Sequence, residues 1–319
     1  MMQPDLSAIR TAAARIRPYA HRTPVMTCAS LDTQVGAQLF LKCENLQKVG
    51  AFKFRGATNA VFSLSDTEAA RGVVAHSSGN HAQALALAAR RRGIPAYIVM
   101  PDNAPAVKKA AVAGYGGQIT FCAPTLAARE ATQAAVVAAT GATVVHPYND
   151  VRVIAGQGTA TLELLEDVPD LDVILAPVGG GGLLSGTAIA ATELSPNIRA
   201  IGVEPAGADD ATRSLAAGSI IPSLQPQTIA DGLLTSLGDL TFPIIRDRVE
   251  QIVTVSEEAI VAAMKFIWER AKLIVEPSAA VPIAALWEQR VDLSGLRVGV
   301  ILSGGNVDLG RLPWQENDA

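Results

Sequence analysis

Three kinds of feature are missing from this sequence: a long apolar run, a block of basic residues and a set of paired cysteines. No apolar stretch reaches the roughly 20 residues that a helix needs to cross a bilayer, and the first residues, Met1 to Tyr19, lack a signal-peptide apolar core. Arg10, Arg15 and Arg17 instead fall at helical spacing, which predicts a short amphipathic helix. The formal net charge is −4 with no basic block, against nucleic acid as the main partner. Cys28, Cys43 and Cys122 are odd in number and far apart, which excludes a disulfide framework and a zinc ligand spacing. They read as buried or free thiols of a reducing cytoplasm. Aromatics are scarce, at 4%.

Apolar residues nevertheless make up 49% of the 319 residues and charged ones only 18%, so a folded chain with a large core is expected. The apolar content is mostly Ala, Val, Leu and Ile, suited to small-residue helices packed on buried strands. Short β-rich runs alternate with Ala-rich helical ones. Strands are predicted at Gly72–His76, Ile94–Met100, Gln118–Cys122 and Ala142–His146, with helices at Asn80–Arg92, Pro105–Ala113 and Thr125–Thr140 between them. A second series follows Asn149, with strands at Asp172–Pro177, Ile198–Glu204, Gln251–Val255 and Arg297–Leu302. Helices are expected at Gly156–Glu166 and Leu183–Leu194, and across Glu257–Trp287 with breaks at Pro277 and Pro282. The fold class is therefore α/β, with two doubly wound parallel-sheet lobes and a ligand cleft at their strand ends.

Four segments carry the chemistry. Gly50-Ala51-Phe52-Lys53-Phe54-Arg55-Gly56-Ala57 sets a lysine between aromatics and glycines. Burial would lower its amine pKa and make it a nucleophile for Schiff-base formation and then a base. On this segment alone, a lysine snorkelling from a strand edge is the more ordinary explanation. Ser77-Ser78-Gly79-Asn80-His81 lies between a strand and a helix, where hydroxyls and free N–H groups can cradle a carboxylate or phosphate, or simply cap the helix. Gly179-Gly180-Gly181-Gly182 lets backbone amides converge on a phosphate at a helix N-terminus. It is neither a dinucleotide fingerprint nor a Walker loop. Ser303-Gly304-Gly305-Asn306 follows the last strand and alone reads as a glycine turn. A fifth stretch, Glu204, Ala208 and Asp210, offers two carboxylates and a carbonyl, enough for a hard cation or for a solvated acidic turn.

Together and in this order, the segments resemble the fold-type II pyridoxal phosphate (PLP) enzymes. The likeness is to the serine/threonine dehydratase group, in the branch holding serine racemase and the 3-hydroxyaspartate dehydratases. It runs from Arg22-Thr23-Pro24 to Asp308-Leu309. It includes Lys42-Cys43-Glu44-Asn45, Val153-Ile154-Ala155-Gly156-Gln157-Gly158-Thr159 and Thr228-Ile229-Ala230-Asp231-Gly232. The resemblance implies a tryptophan synthase β-like fold, in which residues 1–65 and 150–319 form a large PLP-binding domain and residues 66–149 a small inserted one.

The resemblance also implies residue roles. Lys53 would carry the cofactor, with Phe52 beside its ring, Asn80 at its 3-hydroxyl, Gly179, Gly180, Gly181, Gly182 and Leu183 at its phosphate, and Ser303 at its ring nitrogen. A neutral hydroxyl there leaves the ring a weaker electron sink, which favours prompt loss of a β-leaving group. Ser77, Ser78, Asn80 and His81 would hold the substrate α-carboxylate, and Ser78 would act as acid/base opposite Lys53. Glu204, Ala208 and Asp210 match a structural divalent-cation site for Mg²⁺, Mn²⁺ or Ca²⁺, with Asp209 a bystander. Arg129 would pair with a second carboxylate, favouring 3-hydroxyaspartate over serine or threonine. The alternative is a surface arginine paired with a nearby Glu. Tyr148-Asn149 after His146-Pro147 departs from animal serine racemases, which have Asn directly after the Pro, and favours a bacterial-type dehydratase. The implied activity is a dehydratase/ammonia-lyase giving a 2-oxo acid and ammonia. A serine racemase with side dehydratase activity, or a non-catalytic PLP- or amino-acid-binding protein, are the other readings. No regulatory C-terminal domain is expected. A cytoplasmic homodimer, with no nucleic-acid or membrane partner, completes the picture.

Overall fold

The computed structural model describes residues 3–315. Met1 and Met2, where the first helix was expected to begin, and residues 316–319, the end of the expected large domain, lie outside the described residues. The amphipathic helix occupies Leu6–Ile16, and the Asp5 side chain accepts the Ala8 N–H at its start. No helix among the described residues is long and apolar enough to cross a membrane.

Two sheets organise the chain. The strands are β1 (Val25–Met26), β2 (Gln38–Cys43), β3 (Val73–His76), β4 (Ala96–Pro101), β5 (Gln118–Cys122), β6 (Thr143–Val144), β7 (Val173–Pro177), β8 (Arg199–Pro205), β9 (Gln251–Val255) and β10 (Arg297–Leu302). The larger sheet has the order β1-β2-β10-β7-β8-β9, and the smaller β5-β4-β3-β6. All pairings are parallel except β1 with β2. Both faces of the larger sheet are covered, so its central strands are apolar throughout. Along β7, Val173 and Leu175 pack into one core with Leu41, Val300 and the Pro277–Trp287 helix. Ile174 and Ala176 face the other way, against Leu184, Ala188 and Ile301. In the smaller sheet, Val73, Ala75, Ile98 and Met100 pack on Ala82, Leu85 and Ala89 of the Asn80–Arg92 helix. Its outer helix, Leu126–Thr140, buries no residue fully.

Two expectations are corrected. The segment Ala142–His146 pairs only through Thr143 and Val144. Pro277 does not break a helix but starts one, at the position where its missing N–H costs nothing. Pro282 sits inside that same helix, and the interruption is the non-helical stretch 272–276, which follows the π-turn Ile267–Ala271 and opens on Lys272 in the left-handed region.

The helix Lys53–Phe62 is fixed from below by buried charge. Arg55 is fully buried and donates to Glu44 (2.7 and 2.8 Å) and to Glu163 (2.8 and 2.7 Å). Lys42, also fully buried, donates to Glu163 and to the Thr23 carbonyl, both at 2.7 Å. The cluster joins the end of β2, the start of the lysine helix and the Val151–Asp167 helix. Each charge has an opposite partner, as burial requires.

Candidate active site

Short backbone links bring the four segments together. Ala51 and Gly304 form an antiparallel bridge, flanked by Phe52 N–H to Ser303 carbonyl (3.0 Å) and Gly305 N–H to Gly50 carbonyl (2.9 Å). This sets Lys53, the first residue of its helix, beside Ser303, which is buried at the end of β10. Lys53 Nζ donates to the Pro147 carbonyl at 2.9 Å and lies 5.0 Å from the Phe52 ring centroid. Burial pushes the Lys53 amine down to about 8, against the pull of the Glu276 carboxylate. At that value an appreciable fraction is a neutral nucleophile near neutral pH.

Tyr148 connects the lysine to the tetraglycine loop. A Cβ at Gly180 would lie 2.3 Å from its ring, and one at Gly182 would lie 2.9 Å from its Cβ. Gly181 has φ +87°, and a Cβ at Gly179 would meet the Leu233 backbone at 2.9 Å. Any side chain here would close the loop. Gly181 caps the Gly182–Leu194 helix, and no acceptor among the described residues takes the N–H groups of Gly179 to Leu183. A row of free amides at the positive end of a buried helix fits a phosphate group.

The Ser77–His81 turn has the same character. Ser77 N–H pairs with the Val99 carbonyl, but the N–H groups of Ser78, Asn80 and His81 find no acceptor among the described residues. The His81 imidazole is buried. Its Nε2–H donates to the Val145 carbonyl at 2.9 Å, Nδ1 has no partner, and burial beside Lys53 pushes its pKa down to about 3. His81 therefore offers the turn its backbone N–H, while its ring is neutral and turned to the core. Asn80 extends to the larger lobe, where Nδ2 donates to Glu276 and Oδ1 accepts from Asn306.

Arg129 lies in the first turn of the Leu126–Thr140 helix, whose N-cap is Thr125. A cation at the positive end of a helix is unfavourable, yet Arg129 forms no ion pair among the described residues, and its Nε is buried without an acceptor. The expected alternative, pairing with a nearby Glu, is not what the structure has. Together with burial, its charge lowers the pKa of His76, at the end of β3. His146, lowered to about 4 by burial, His76 and Lys53, accepts the Asn149 N–H at Nδ1 (2.9 Å).

Glu204, at the end of β8, accepts the N–H groups of Ala211 (3.2 Å) and Thr212 (2.7 Å). Asp210 is buried, and its Oδ2 has no partner. Burial raises the Glu204 carboxyl to about 7 and that of Asp210 to about 6. No group of three His, Cys, Asp or Glu side chains that could hold a metal occurs among the described residues, and what the structure brings together here is the pair of carboxylates. An orphaned buried carboxylate oxygen beside a second acid fits a hard cation. Asp209 is turned away, paired with Arg213 at 2.8 Å.

Three participants went unrecognised in the sequence: the Pro147 carbonyl, the Tyr148 ring as a wall of the loop, and Glu276. Glu276 is 4% exposed, and in sequence it falls inside the expected Glu257–Trp287 helical stretch, where nothing marks it out.

The family model for "Pyridoxal-phosphate dependent enzyme" matches residues 16–304. A β-hydroxyaspartate dehydratase of Paracoccus denitrificans is 52% identical over 314 residues, covering 98% of this chain and all of its own. A serine racemase of Oryza sativa is also 52% identical, over 98% of this chain and 93% of its own. The crystal structure of serine racemase from Dictyostelium discoideum superposes with a TM-score of 0.93 at 50% identity, covering 96% of this chain and 99% of that one. With a half-buried lysine, free amides on a glycine loop and a fold shared along its length, the chain belongs to the pyridoxal-phosphate dependent enzyme family.

Proposed function

We propose that this enzyme is a PLP-dependent ammonia-lyase that converts a β-hydroxy amino acid, with 3-hydroxyaspartate preferred, to a 2-oxo acid and ammonia. Arg129 carries the choice of substrate: an unpaired guanidinium at the end of the smaller sheet suits a second carboxylate. The β-hydroxyaspartate dehydratase among its relatives supports the same choice.

Lys53 would hold PLP, with Phe52 beside the ring, the amides of Gly179 to Leu183 on the phosphate, Asn80 at the 3-oxygen and Ser303 at the ring nitrogen. When bound, PLP supplies an electron sink conjugated to the substrate α-carbon. The protein's own work is placement and proton transfer. The N–H groups of Ser78, Asn80 and His81, with the Ser77 and Ser78 hydroxyls, orient the α-carboxylate. The Lys53 amine, depressed by burial, takes the α-proton. The β-hydroxyl leaves with a proton as water, and the released enamine tautomerises to an imine that takes up water to give the 2-oxo acid and ammonia. Ser78 would supply a proton on the opposite face, and the similarity to serine racemases supports a second reading in which Lys53 and Ser78 invert the α-carbon.

Glu204, Asp210 and the Ala208 carbonyl would hold Mg²⁺, Mn²⁺ or Ca²⁺ in a structural role. Residues 66–149 would act as a small domain against 1–65 and 150–319, in a cytoplasmic homodimer. The test is 2-oxo acid release from each stereoisomer of 3-hydroxyaspartate, from serine and from threonine, with racemisation followed in parallel. Faster turnover of hydroxyaspartate supports the reading; racemisation of serine outpacing elimination would replace it with the racemase.

A further inference from the structure

Glu276 is a buried carboxylate that no Lys, Arg or His side chain pairs with among the described residues. It occupies the N-cap of the Pro277–Trp287 helix, but its side chain makes no capping bond there. Its oxygens turn instead toward Asn80, whose Nδ2 donates to both (3.0 and 3.2 Å), and accept the Asn306 N–H at 3.2 Å. Asn306 Nδ2 in turn donates to Asn80 Oδ1 at 2.9 Å and to the Val49 carbonyl at 2.7 Å. Glu276, Asn80 and Asn306 thus close a three-membered ring of hydrogen bonds. The backbone is shaped to admit it: a Cβ at Gly304 would stand 2.5 Å from Glu276 Oε1, and one at Gly50 would stand 2.6 Å from Asn306 Oδ1.

An isolated buried carboxylate is costly, and a side chain retained at that cost without capping its own helix calls for another task. The ring supplies one. The asparagine amide has two orientations of nearly equal shape. Turned over, Asn80 would set its oxygen against the Glu276 carboxylate and its NH₂ against that of Asn306, two like-to-like contacts in place of two bonds. With one Nδ2 hydrogen shared between the two Glu276 oxygens, the other is left uncommitted.

We infer that Glu276 and Asn306 are positioning residues that lock the Asn80 amide as a hydrogen-bond donor toward the cofactor. They act across the seam between the lobes, since Asn80 begins a helix of the smaller one while Glu276 and Asn306 belong to the larger. The inference rests on the reading that PLP binds at Lys53, with Asn80 beside its ring.

The experiment is a double-mutant cycle read on the cofactor rather than on turnover. The PLP dissociation constant and the position of the visible absorption band are measured for the wild type, Glu276→Gln and Asn306→Ala. They are measured again with each change added to Asn80→Ala. Glu276→Gln preserves volume but offers one acceptor where two are needed. Each single change is expected to weaken PLP binding by about tenfold and to shift the band, and neither is expected to add to Asn80→Ala. Denaturant unfolding of the PLP-free variants separates the effect from global loss of structure. An undiminished effect in the Asn80→Ala background, or unchanged PLP binding and band in both single variants, overturns the inference. A wild-type protein that takes up no PLP fails at an earlier point, and removes the cofactor reading itself.

Discussion

Gly156 packs so tightly on Gly56 that a methyl group in its place would stand 2.6 Å from the Gly56 Cα and 2.9 Å from the Arg55 carbonyl. Both obstacles are backbone, so the Lys53–Phe62 and Val151–Asp167 helices would have to move apart. Gly56 is three residues beyond Lys53, and the separation would carry the lysine with it. Gly156→Ala is expected to destabilise the protein by about 1–3 kcal/mol in denaturant unfolding and to weaken PLP retention. Gly114→Ala, where a Cβ meets nothing within 4 Å, is the control and should change stability little. Equal effects of the two would show that the close approach is not what holds the lysine helix.

That crossing also shows what could be read from sequence. The stretch Val153 to Thr159 stood out only by resemblance, because two glycines reveal a close approach only when their partner helix is known. The Asn80–Arg92 helix and the strands Gln118–Cys122, Gln251–Val255 and Arg297–Leu302 lie where periodicity placed them, since local pattern and tertiary role agree. The strand Gln38–Cys43 escaped notice. Lys42 breaks its apolar run, and only the distant Glu163 makes that lysine a buried residue. The site divides in the same way. The four glycines announce themselves by unusual composition, and Lys53, Ser78 and Ser303 by the resemblance carried by the ordered set of motifs, whereas Glu276 and Tyr148 gain their roles from contacts with residues far along the chain.

Arg55 illustrates a cost that falls on its partners. Replacing it by Met keeps much of the volume but leaves Glu44 buried without a cation and Glu163 with Lys42 alone. Breaking a buried ion pair from one side costs about 3–5 kcal/mol. Arg55→Met should lose stability on that scale in denaturant unfolding. Adding Glu44→Gln to it should recover part of the loss, because the stranded charge is then gone. A double variant as unstable as the sum of the singles would mean that packing, not charge, sets the cost.

The depressed amine of Lys53 has a pH signature. Its folded value of about 8 lies below the ordinary 10.5, so between these limits the native state binds fewer protons than the unfolded one. The contribution to stability therefore grows as pH rises from about 8 to 10.5 and is absent below. For uptake of PLP the neutral amine is the reactive form. The uptake rate should climb about tenfold per pH unit below the pKa and level off above about 8. Glu276→Gln removes the carboxylate that favours the ammonium form and should move the plateau to lower pH. Stopped-flow absorbance measures both. A rate that stays flat from pH 6 to 9 would mean that the lysine is not the group being titrated.

Arg129 allows the sharpest test of substrate choice. Its guanidinium stands in the first turn of a helix, where the dipole opposes it, and it forms no ion pair among the described residues. An incoming dianionic substrate would supply the missing partner, and the planar fork suits a carboxylate in a way an ammonium does not. Arg129→Ala should therefore lower kcat/KM for 3-hydroxyaspartate by about 10²-fold or more, a loss of roughly 3 kcal/mol. Serine and threonine, which have no second carboxylate, should be turned over at nearly unchanged rates. Arg129→Lys should fall between, since it keeps the charge but loses the bidentate geometry. Because removing a cation from a helix N-terminus relieves an unfavourable contact, the alanine variant should be at least as stable as the wild type. Selectivity and stability are then expected to move in opposite directions. A variant that lost stability together with activity on all substrates alike would make Arg129 a structural residue and leave the distal carboxylate without a partner.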